Sequence, residues 1–453
     1  MTIKENDIFI VTGSDYTSEG IGLAKVNDFP VFINNLIIGE EAEIKITKVM
    51  RKFALGKIIR FTKMSNDRIT PLIPETIHLA GCQFTQLAYP KEVEYKLSKV
   101  ERALRVIGGI NYKVEKIHAA ANPYFYRNKT VLPFGKRKSG KVITGLFRHN
   151  THEIIAMEKT HLDDELASKV IAEIRNLIEK YNYEVYDEKS HTGEVRKVMV
   201  RTSHYLKEVM VVLITRSEET PNLNAFCRDL VAVCPEVTTV IQNINDERTN
   251  VILGKKEKVL YGPGVISEEL HGLKFTLSSK SFFQVNTLQA EVLYKRALEL
   301  AEITNNDVVL DAYSGTGTIA LLVAKKANQV VGVEIVKDAV KDAEKNAKQN
   351  GITNVKFYKD DAGAFLTREM NNYNFNVVFV DPPRKGLSDE FVNALLKASP
   401  PKIMYVSCDP ATLARDLQKL TKKYKINHIE CVDMFPRTAH VETIVSLNFA
   451  KTH

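Results

Sequence analysis

The chain lacks long hydrophobic segments. Runs such as VMVVLI at 209–214 are short, far below the ~20 apolar residues that a membrane-spanning helix needs, so no membrane is expected as a partner. The first residues, MTIKENDIFIV, lack the basic and then apolar order of a secretory signal. Five cysteines without regular spacing indicate free thiols in a reducing compartment. These absences predict a cytoplasmic protein.

The length of 453 residues exceeds what one hydrophobic core organises, and predicts two or three domains. Residues 1–63 alternate apolar and polar positions between glycine turns, which is typical of five short strands in an OB-type barrel. The order EGIGLAKV, FPVFINNLIIGEE and VMRKFALGKI resembles the TRAM module of RNA-modifying enzymes. The resemblance implies a barrel that binds RNA; a barrel with a structural role only is the alternative.

The positive charge is concentrated in one stretch. Nine Lys and Arg residues against one acidic residue lie between Lys113 and Arg148, which equals the net charge of +8 of the whole chain. Aromatic residues are interleaved with these cations: Tyr124, Phe125, Tyr126, Phe134 and Phe147. Phosphate attraction combined with faces for base stacking is typical of a groove for single-stranded nucleic acid. A solvated basic hairpin is the alternative interpretation.

Three further segments can be recognised in the rest of the chain. A helix is expected over YPKEVEYKLSKVERALRV, before the stop signal Gly108-Gly109. Strand and helix patterns are mixed over 118–270. From about 272 strands and helices alternate regularly, which predicts an α/β doubly wound domain.

The segment NDVVLDAYSGTGTIALLVAKKA reads as a strand, a glycine loop and a helix. Gly315 and Gly317 allow the backbone to approach a ligand, and the helix that follows offers free N–H groups. The next strand ends in Glu334, whose carboxylate can accept both ribose hydroxyls of a nucleoside cofactor. At this point NAD and S-adenosylmethionine fit equally well.

Two later strands also end in acidic residues. Asp361 follows FYKD and could approach an adenine, and Asp381 begins Asp-Pro-Pro-Arg. Strand ends in an open α/β sheet share one crevice, so Glu334, Asp361 and Asp381 are expected to converge. Asp-Pro-Pro is common in methyltransferases that act on nucleobases. Arg384 stands where amine methyltransferases typically have an aromatic residue, which counts against amine methylation.

Cys408 lies at the end of the strand KIMYVS, before a helix. Carbon 5 of uracil is a poor nucleophile until a thiolate adds at carbon 6. Methylation at carbon 5 then needs a cysteine, a general base and support for the oxyanion. A helix N-terminus is expected to lower the pKa of the Cys408 thiol. Cys227, Cys234 and Cys431 are expected to pack in the core.

Five motifs in order, SSKSFFQVN, LDAYSGTG, VDPPRKG, VSCDPATLARD and MFPRTAHVETIV, closely resemble those of the bacterial RNA uracil-5-methyltransferases. The subgroup with an N-terminal TRAM module acts on 23S ribosomal RNA. The resemblance covers essentially the whole chain. It implies a Rossmann-like S-adenosylmethionine methyltransferase domain, with Cys408 as nucleophile and Glu442 as the base. It also implies cofactor-binding roles for Gln284, Tyr313, Gly315, Glu334, Asp361 and Asp381, with Asp361 the weaker assignment.

The same resemblance implies three domains. These are a TRAM barrel at 1–63, a central mixed α+β RNA-binding domain at 64–84 and 118–270, and a methyltransferase domain at 85–117 and 271–453. The expected partner is 23S ribosomal RNA, with a uridine flipped out of a loop or an unfolded segment. No obligate protein partner is evident from the sequence.

One departure from the family pattern concerns iron. Many relatives carry an iron–sulfur cluster on four cysteines, and here only Cys82 stands where a ligand is expected. A cluster of that kind needs four thiolates, so no cluster and no metal site are expected. Members without the cluster resemble those of Gram-positive bacteria, some of which modify more than one uridine.

Three other functions compete. Transfer RNA methylation uses the same chemistry, but those relatives usually lack the TRAM module. Cytosine-5 methylation also uses a thiol adduct, but its Pro-Cys pattern is absent around Cys408. An RNA-binding scaffold without catalysis would not need Cys408, Glu442 and the cofactor positions intact.

Overall fold

A computed structural model describes residues 3–79, 81–148, 151 and 153–450. The chain forms two compact units. The first comprises Met1–Lys99, Phe147–Ile155 and Phe435–His440, and the second comprises Val100–Leu146, Ala156–Met434 and Val441–His453. The finer three-domain division expected from the sequence stays a prediction.

The N-terminal segment of the first unit is a six-stranded barrel-like sheet, which confirms the expected fold and has one strand more than the five predicted. Its strands pair in the order β1-β5-β6-β4-β3-β2. Alternate side chains, among them Ala24, Val31 and Ile44, turn inward to form its core, because side chains on a strand alternate between its two faces. The strands are β1 (Ile8–Thr12), β2 (Asp15–Tyr16), β3 (Gly22–Val26), β4 (Phe29–Ile33), β5 (Glu41–Val49) and β6 (Ala54–Lys63).

A short 3₁₀ helix at Pro74–His78 leads to helix α1 (Tyr89–Val106). The helix ends just before Gly108 and Gly109, as the sequence predicts. The boundary between the two units falls inside α1, between Lys99 and Val100.

The middle of the chain forms a mixed sheet. After β7 (Lys116–His118) the elements are β8 (Lys129–Lys136), β9 (Val142–Phe147), β10 (Ile154–Ala156), α2 (Glu165–Lys180), β11 (Val195–Thr202), β12 (Val209–Thr215), α3 (Leu223–Val233), β13 (Val237–Ile244) and β14 (Lys256–Tyr261). The sheet order is β10-β9-β8-β11-β12-β13-β14. One face of this sheet packs on α2 and α3.

Phe134 belongs to the core between this sheet and its helices. Its ring is therefore unable to stack on a nucleobase, and the sequence-based expectation that it contributes a stacking face was wrong. Strand alternation explains the error, since Lys129 and Phe134 occupy opposite faces of the same strand. Cys227 and Cys234 are buried in the same core, as expected.

The remaining elements confirm the α/β doubly wound domain. After the hairpin β15 (Ile266–Leu270) and β16 (Leu273–Leu277), they are α4 (Thr287–Ala301), β17 (Val308–Asp311), α5 (Thr318–Ala324), β18 (Gln329–Glu334), α6 (Lys337–Gln349), β19 (Val355–Lys359), α7 (Ala362–Glu369), β20 (Val377–Val380), α8 (Asp389–Ala398), β21 (Lys402–Ser407), α9 (Pro410–Leu420), β22 (Tyr424–Val432) and β23 (Glu442–Phe449). The sheet order is β19-β18-β17-β20-β21-β23-β22-β7. Strands β17 to β21 run parallel, while β23 is antiparallel to both of its neighbours.

Candidate active site

The parallel strands carry the predicted site residues to one edge of the sheet. Strand β17 ends in Asp311 and β18 ends in Glu334, while Asp381 and Cys408 directly follow β20 and β21. Because these four strands are neighbours in the order β18-β17-β20-β21, their carboxyl ends share one crevice. Antiparallel β23 begins at the same edge and places Glu442 there. The convergence of Glu334 and Asp381 is therefore a property of the fold, while Asp361 lies two residues beyond the end of the edge strand β19.

The glycine loop is tied to Glu334. The Gly315 N–H donates to one carboxylate oxygen of Glu334 at 3.1 Å, and the Val336 N–H donates to the other at 2.8 Å. A carboxylate has about four lone-pair positions, so both oxygens keep capacity for ribose hydroxyls. Gly315 has φ +52°, and a Cβ built on it would meet nothing within 4 Å. The loop therefore has open space beside the carboxylate.

Asp311 is hydrogen-bonded to the first turn of α5, the helix that follows the glycine loop. One of its carboxylate oxygens accepts from the Ala320 N–H at 2.9 Å, while the other is buried without a hydrogen bond. Burial and the nearby charge of Asp381 raise the pKa of Asp311 to about 7. Through its contact with Ala320, Asp311 shapes the turn between the glycine loop and α5.

Asp361 has a structural role that the sequence did not assign to it. It caps helix α7: its Oδ1 accepts from the Gly363 and Ala364 N–H groups at 2.9 and 3.0 Å. Its side chain is exposed, and Oδ2 remains for another partner. Contact with a cofactor stays a prediction for that second oxygen.

Gln284 and Tyr313 lie in the same unit as the strand ends. The Tyr313 ring packs edge to face against Phe391, with centroids 5.6 Å apart. Gln284 is buried, and its side chain hydrogen-bonds the Tyr294 hydroxyl. Burial, followed by the charges of Asp381 and Glu442, raises the Tyr294 pKa well above its usual value. Tyr294 is thus part of the site, although its helical pattern resembles that of any core residue.

Cys408 and Glu442 lie on adjacent strands. Ser407 pairs with Thr443 in the β21–β23 ladder. Cys408 follows Ser407 and Glu442 precedes Thr443, so the two residues lie side by side at the strand ends. Cys408 is partly exposed, whereas Glu442 is 2 % exposed and its Oε2 has no hydrogen-bond partner. The thiol is therefore partly exposed to the crevice, and a buried carboxyl group with one oxygen that lacks a hydrogen bond lies beside it.

The Cys408 pKa is raised to about 12, by burial first and then by the charges of Glu442 and Asp381. The expectation that the helix N-terminus lowers this pKa was wrong. Burial is the main cause, and Asp409 removes the expected effect of the helix: it caps α9 by accepting from the Ala411 and Thr412 N–H groups at 3.0 and 2.8 Å. The N–H groups that were expected to favour a thiolate are occupied by a carboxylate, whose charge raises the thiol pKa further.

The two carboxyl groups beside the thiol are unusually basic. Burial and the charge of Asp381 raise the pKa of Glu442 to about 8, and burial raises the pKa of Asp381 to about 7. The Arg384 guanidinium opposes these effects and lowers the pKa values of Glu442 and Cys408. A buried carboxyl group with a pKa near neutrality is suited to proton transfer at the operating pH.

These residues fit S-adenosylmethionine. Glu334 has lone pairs for ribose hydroxyls, Gly315 leaves open space beside it, and Tyr313 offers a partly buried ring. With pKa values of about 7 and 8, Asp381 and Glu442 are partly ionised near neutral pH, and a positively charged sulfur favours their carboxylate forms. Such a charge set favours the sulfonium cofactor over NAD.

Among the described residues, no three or more His, Cys, Asp or Glu side chains are placed to hold a metal ion. Cys82, Cys227, Cys234 and Cys431 are buried, and none of the five cysteines forms a disulfide. Within the same described ranges, no helix is both long and apolar enough to cross a bilayer.

Two segments of the chain match known families, one in each terminal part. Residues 241–450 match the family described as tRNA (Uracil-5-)-methyltransferase, and residues 10–59 match the TRAM domain.

Relatives that match over almost their full length are also RNA methyltransferases by name. An uncharacterized RNA methyltransferase of Oceanobacillus iheyensis is 39 % identical over 98 % of this chain and 97 % of its own length. One from Clostridium tetani is 41 % identical over 99 % of this chain and 97 % of its own length.

Among solved structures, the fold is similar to that of the tRNA (uracil-54, C5)-methyltransferase of Pyrococcus abyssi in complex with S-adenosyl-L-homocysteine. The match has a TM-score of 0.78 and 25 % identity, and covers 97 % of this chain and 99 % of that chain.

Proposed function

Because this chain belongs to the tRNA (uracil-5-)-methyltransferase family of RNA methyltransferases and carries a TRAM domain, we propose that it methylates carbon 5 of uridine in 23S ribosomal RNA. The enzyme depends on S-adenosylmethionine. The observation that carries the proposal is the side-by-side position of Cys408 and Glu442 at the cofactor edge of the sheet.

Cys408 starts the reaction by losing its proton to the Asp381 carboxylate, so that Glu442 remains able to accept the carbon-5 proton in the later step. With pKa values of about 7 and 8, Asp381 and Glu442 accept a proton more readily than carboxylates in water do. The thiolate adds to carbon 6 of the uracil, and the electrons of the 5,6 double bond move to carbon 5 and the carbonyl oxygen at carbon 4. Arg384 lies within electrostatic range of Cys408 and Glu442, and we assign it the role of supporting that oxygen.

S-adenosylmethionine supplies the methyl group on a positively charged sulfur. Carbon 5 takes this methyl group, and the bond between methyl and sulfur breaks. Glu442 as carboxylate then removes the hydrogen on carbon 5. The electron pair of the C–H bond restores the double bond and expels the Cys408 thiolate.

Glu442 is buried and has one oxygen without a partner, which supports its assignment as the base. Glu442→Gln keeps the shape of the side chain and removes its basicity. It should therefore accumulate a methylated RNA joined covalently to Cys408, which survives denaturing electrophoresis and carries label from the cofactor methyl group. RNA from a strain that lacks this gene is the substrate, and the double variant with Cys408→Ala is the control. Absence of an adduct with Glu442→Gln would place the base elsewhere.

Transfer RNA is the second candidate substrate. The tRNA (uracil-54, C5)-methyltransferase of Pyrococcus abyssi matches 97 % of this chain, and the unmatched 3 % is too short to contain the barrel. A TRAM-like barrel therefore does not by itself favour ribosomal RNA. Mapping 5-methyluridine in both RNA classes from a strain that lacks this gene separates the candidates, since the missing nucleoside identifies the substrate and shows whether one uridine or several are modified.

We also propose that the enzyme works without an iron–sulfur cluster. Cys227, Cys234 and Cys431 pack in hydrophobic surroundings, and four thiolates would be required. Protein purified without oxygen should show no cluster absorbance band and should keep its activity after iron chelation; either a band or a loss of activity would contradict the proposal.

A further inference from the structure

Three cations form a cluster on the central sheet: Arg127, Lys129 and Arg201. Lys129 and Arg201 are directly opposite each other in the β8–β11 ladder. Arg127 lies two residues before Lys129, so it extends the same face of the strand. Leu132 of β8 and Val198 of β11 belong to the other face, which packs on α2 and α3. The cluster therefore faces away from that core.

No described carboxylate neutralises this cation cluster by an ion pair. Arg201 is 2 % exposed; one Nη donates to the Ser281 carbonyl oxygen at 2.6 Å, and its Nε has no partner. The Arg127 Nε is also buried without a partner. Asp163, whose backbone bridges to Arg127, has its carboxylate occupied by the hydroxyls of Thr130 and Thr160.

The electrostatics reflect this crowding of like charges. Burial, followed by the charges of Arg201 and Arg127, lowers the pKa of Lys129 to about 8. Burial lowers the pKa of Arg201 to about 10. Like charges directly opposite on a sheet destabilise it, and a buried cation without a counter-charge costs free energy. An apolar residue or an added carboxylate would serve the fold better, so the cluster is suited to an anion from outside the chain.

The cluster is joined to the segment that carries Gln284. Arg201 contacts the Ser281 carbonyl, the Asn128 side-chain amide donates to the Gln284 carbonyl at 3.0 Å, and the Asn128 N–H donates to the Val285 carbonyl at 2.8 Å. Arg127 and Lys129 are partly exposed, which leaves the cluster accessible. An anion held there would lie on one side of the segment whose Gln284 side chain reaches Tyr294 in the active site.

We propose that Arg127, Lys129 and Arg201 bind a backbone phosphate of the RNA close to the target uridine and so position the extruded nucleotide. This inference rests on the proposed RNA substrate, but not on whether that RNA is ribosomal or transfer RNA. Lys129 is a positioning residue, since it contacts neither the reacting carbon nor the methyl donor. The anion is a phosphodiester because RNA offers one at every nucleotide and single-stranded RNA is held mainly through them.

Lys129→Gln tests the site with the full-length protein and total RNA from a strain that lacks this gene, which contains the substrate of either class. Loss of one phosphate contact should weaken RNA affinity about five- to tenfold at ~0.1 M salt and reduce the slope of log K against log salt by about 1. Lys129→Arg should keep the affinity. Lys422→Gln is the control and should change neither quantity, because Lys422 is an exposed lysine between α9 and β22 and lies outside the central sheet.

Thermal unfolding separates binding from structure. Removing one of two opposed cations should leave the Tm of Lys129→Gln equal to or above that of the wild type, while RNA affinity falls. An affinity and salt slope equal to those of Lys422→Gln would overturn the proposal, as would a lower Tm with a parallel loss of cofactor binding. If wild-type protein binds this RNA through Lys129 but transfers no methyl group to uridine, the proposed function fails and the phosphate site stands.

Discussion

Glu442 raises the pKa of the Cys408 thiol, the group that stands next to it across the β21–β23 ladder. The proposed base and the proposed nucleophile therefore oppose each other's ionised forms in the free protein. A thiol with a pKa near 12 is almost wholly protonated at neutral pH, and the site holds the cysteine unreactive until positive charge enters the crevice. Protection from adventitious alkylation and oxidation follows from this arrangement.

Alkylation of Cys408 by iodoacetamide at pH 9, where Glu442 is mostly ionised, should be slower than that of free cysteine, because the reactive Cys408 thiolate is scarce. Glu442→Gln removes one of the charges that raise the thiol pKa, so the variant should be alkylated several-fold faster. Mass spectrometry of the peptide that contains residue 408 measures both rates, and Cys408→Ala identifies the peptide. Fast alkylation of the wild type, or no acceleration in Glu442→Gln, would contradict this account of the thiol.

Stability should respond to pH through Glu442. Its pKa rises from an ordinary value of 4.5 to about 8 on folding, so the folded state holds a proton that the unfolded state releases, and stability falls as the pH rises between these values. Glu442→Gln should therefore be more stable than the wild type by about 1–3 kcal/mol at pH 8.5 and nearly equal to it at pH 4.5. Thermal unfolding across this range measures the difference.

Glu430 provides a control of opposite sign. Burial would raise its pKa, but hydrogen bonds from Arg296, His118 and His428 lower it to about 2. Its contribution to stability is present above pH 4.5 and is lost as the pH falls towards 2. Glu430→Gln should destabilise the protein at neutral pH; a stabilising effect in both variants would show that charge alone does not explain the result with Glu442→Gln.

Glu334→Gln should weaken the binding of S-adenosyl-L-homocysteine by about 10- to 100-fold, because the ribose hydroxyls lose a charged acceptor. The Gly315 N–H also loses the charge on its acceptor, which loosens the loop. Isothermal calorimetry measures the affinity. Asp338→Asn, on the exposed first turn of α6, removes the same charge nearby and should leave the affinity within about twofold. Equal affinities in the two variants would remove Glu334 from the cofactor site.

Two variants of Asp361 should distinguish its role as a helix cap from a role in cofactor binding. Asparagine still caps a helix, whereas alanine does not, so Asp361→Ala should lose about 1 kcal/mol of stability and Asp361→Asn should lose little. If the second carboxylate oxygen contacts the cofactor, both variants should bind S-adenosyl-L-homocysteine several-fold more weakly. Unchanged affinity in Asp361→Asn would leave the cap as the role of this residue.

Much of the architecture could be predicted because its signals are local. Alternation between glycine turns indicated the N-terminal barrel, and Gly108-Gly109 marked the end of α1. The strand, glycine loop and helix around Gly315 have the predicted order. The motifs around Cys408 and Glu442 indicated uracil-5 chemistry before any contact between these residues was known, and the family relationship agrees with them.

Other features could not be predicted, because they depend on what is buried together. Tyr294 has the sequence pattern of a helical core residue, and only folding places its hydroxyl on Gln284. The opposition of Lys129 and Arg201 follows from the pairing of strands more than 60 residues apart in the chain. Phe134 was misjudged for a related reason, since its face of β8 is determined by α2 and α3.

The sequence by itself determined which elements form, since helix caps, glycine turns and strand alternation depend on residues close in the chain. It also determined which thiol and carboxyl groups are available for chemistry. Only the tertiary structure decided the ionisation of those groups. The Cys408 pKa depends on burial, on Glu442 and Asp381 from other strands, and on Asp409, which occupies the helix N-terminus. Electrostatic energy varies with distance and with access to water, and neither quantity exists until the chain has folded.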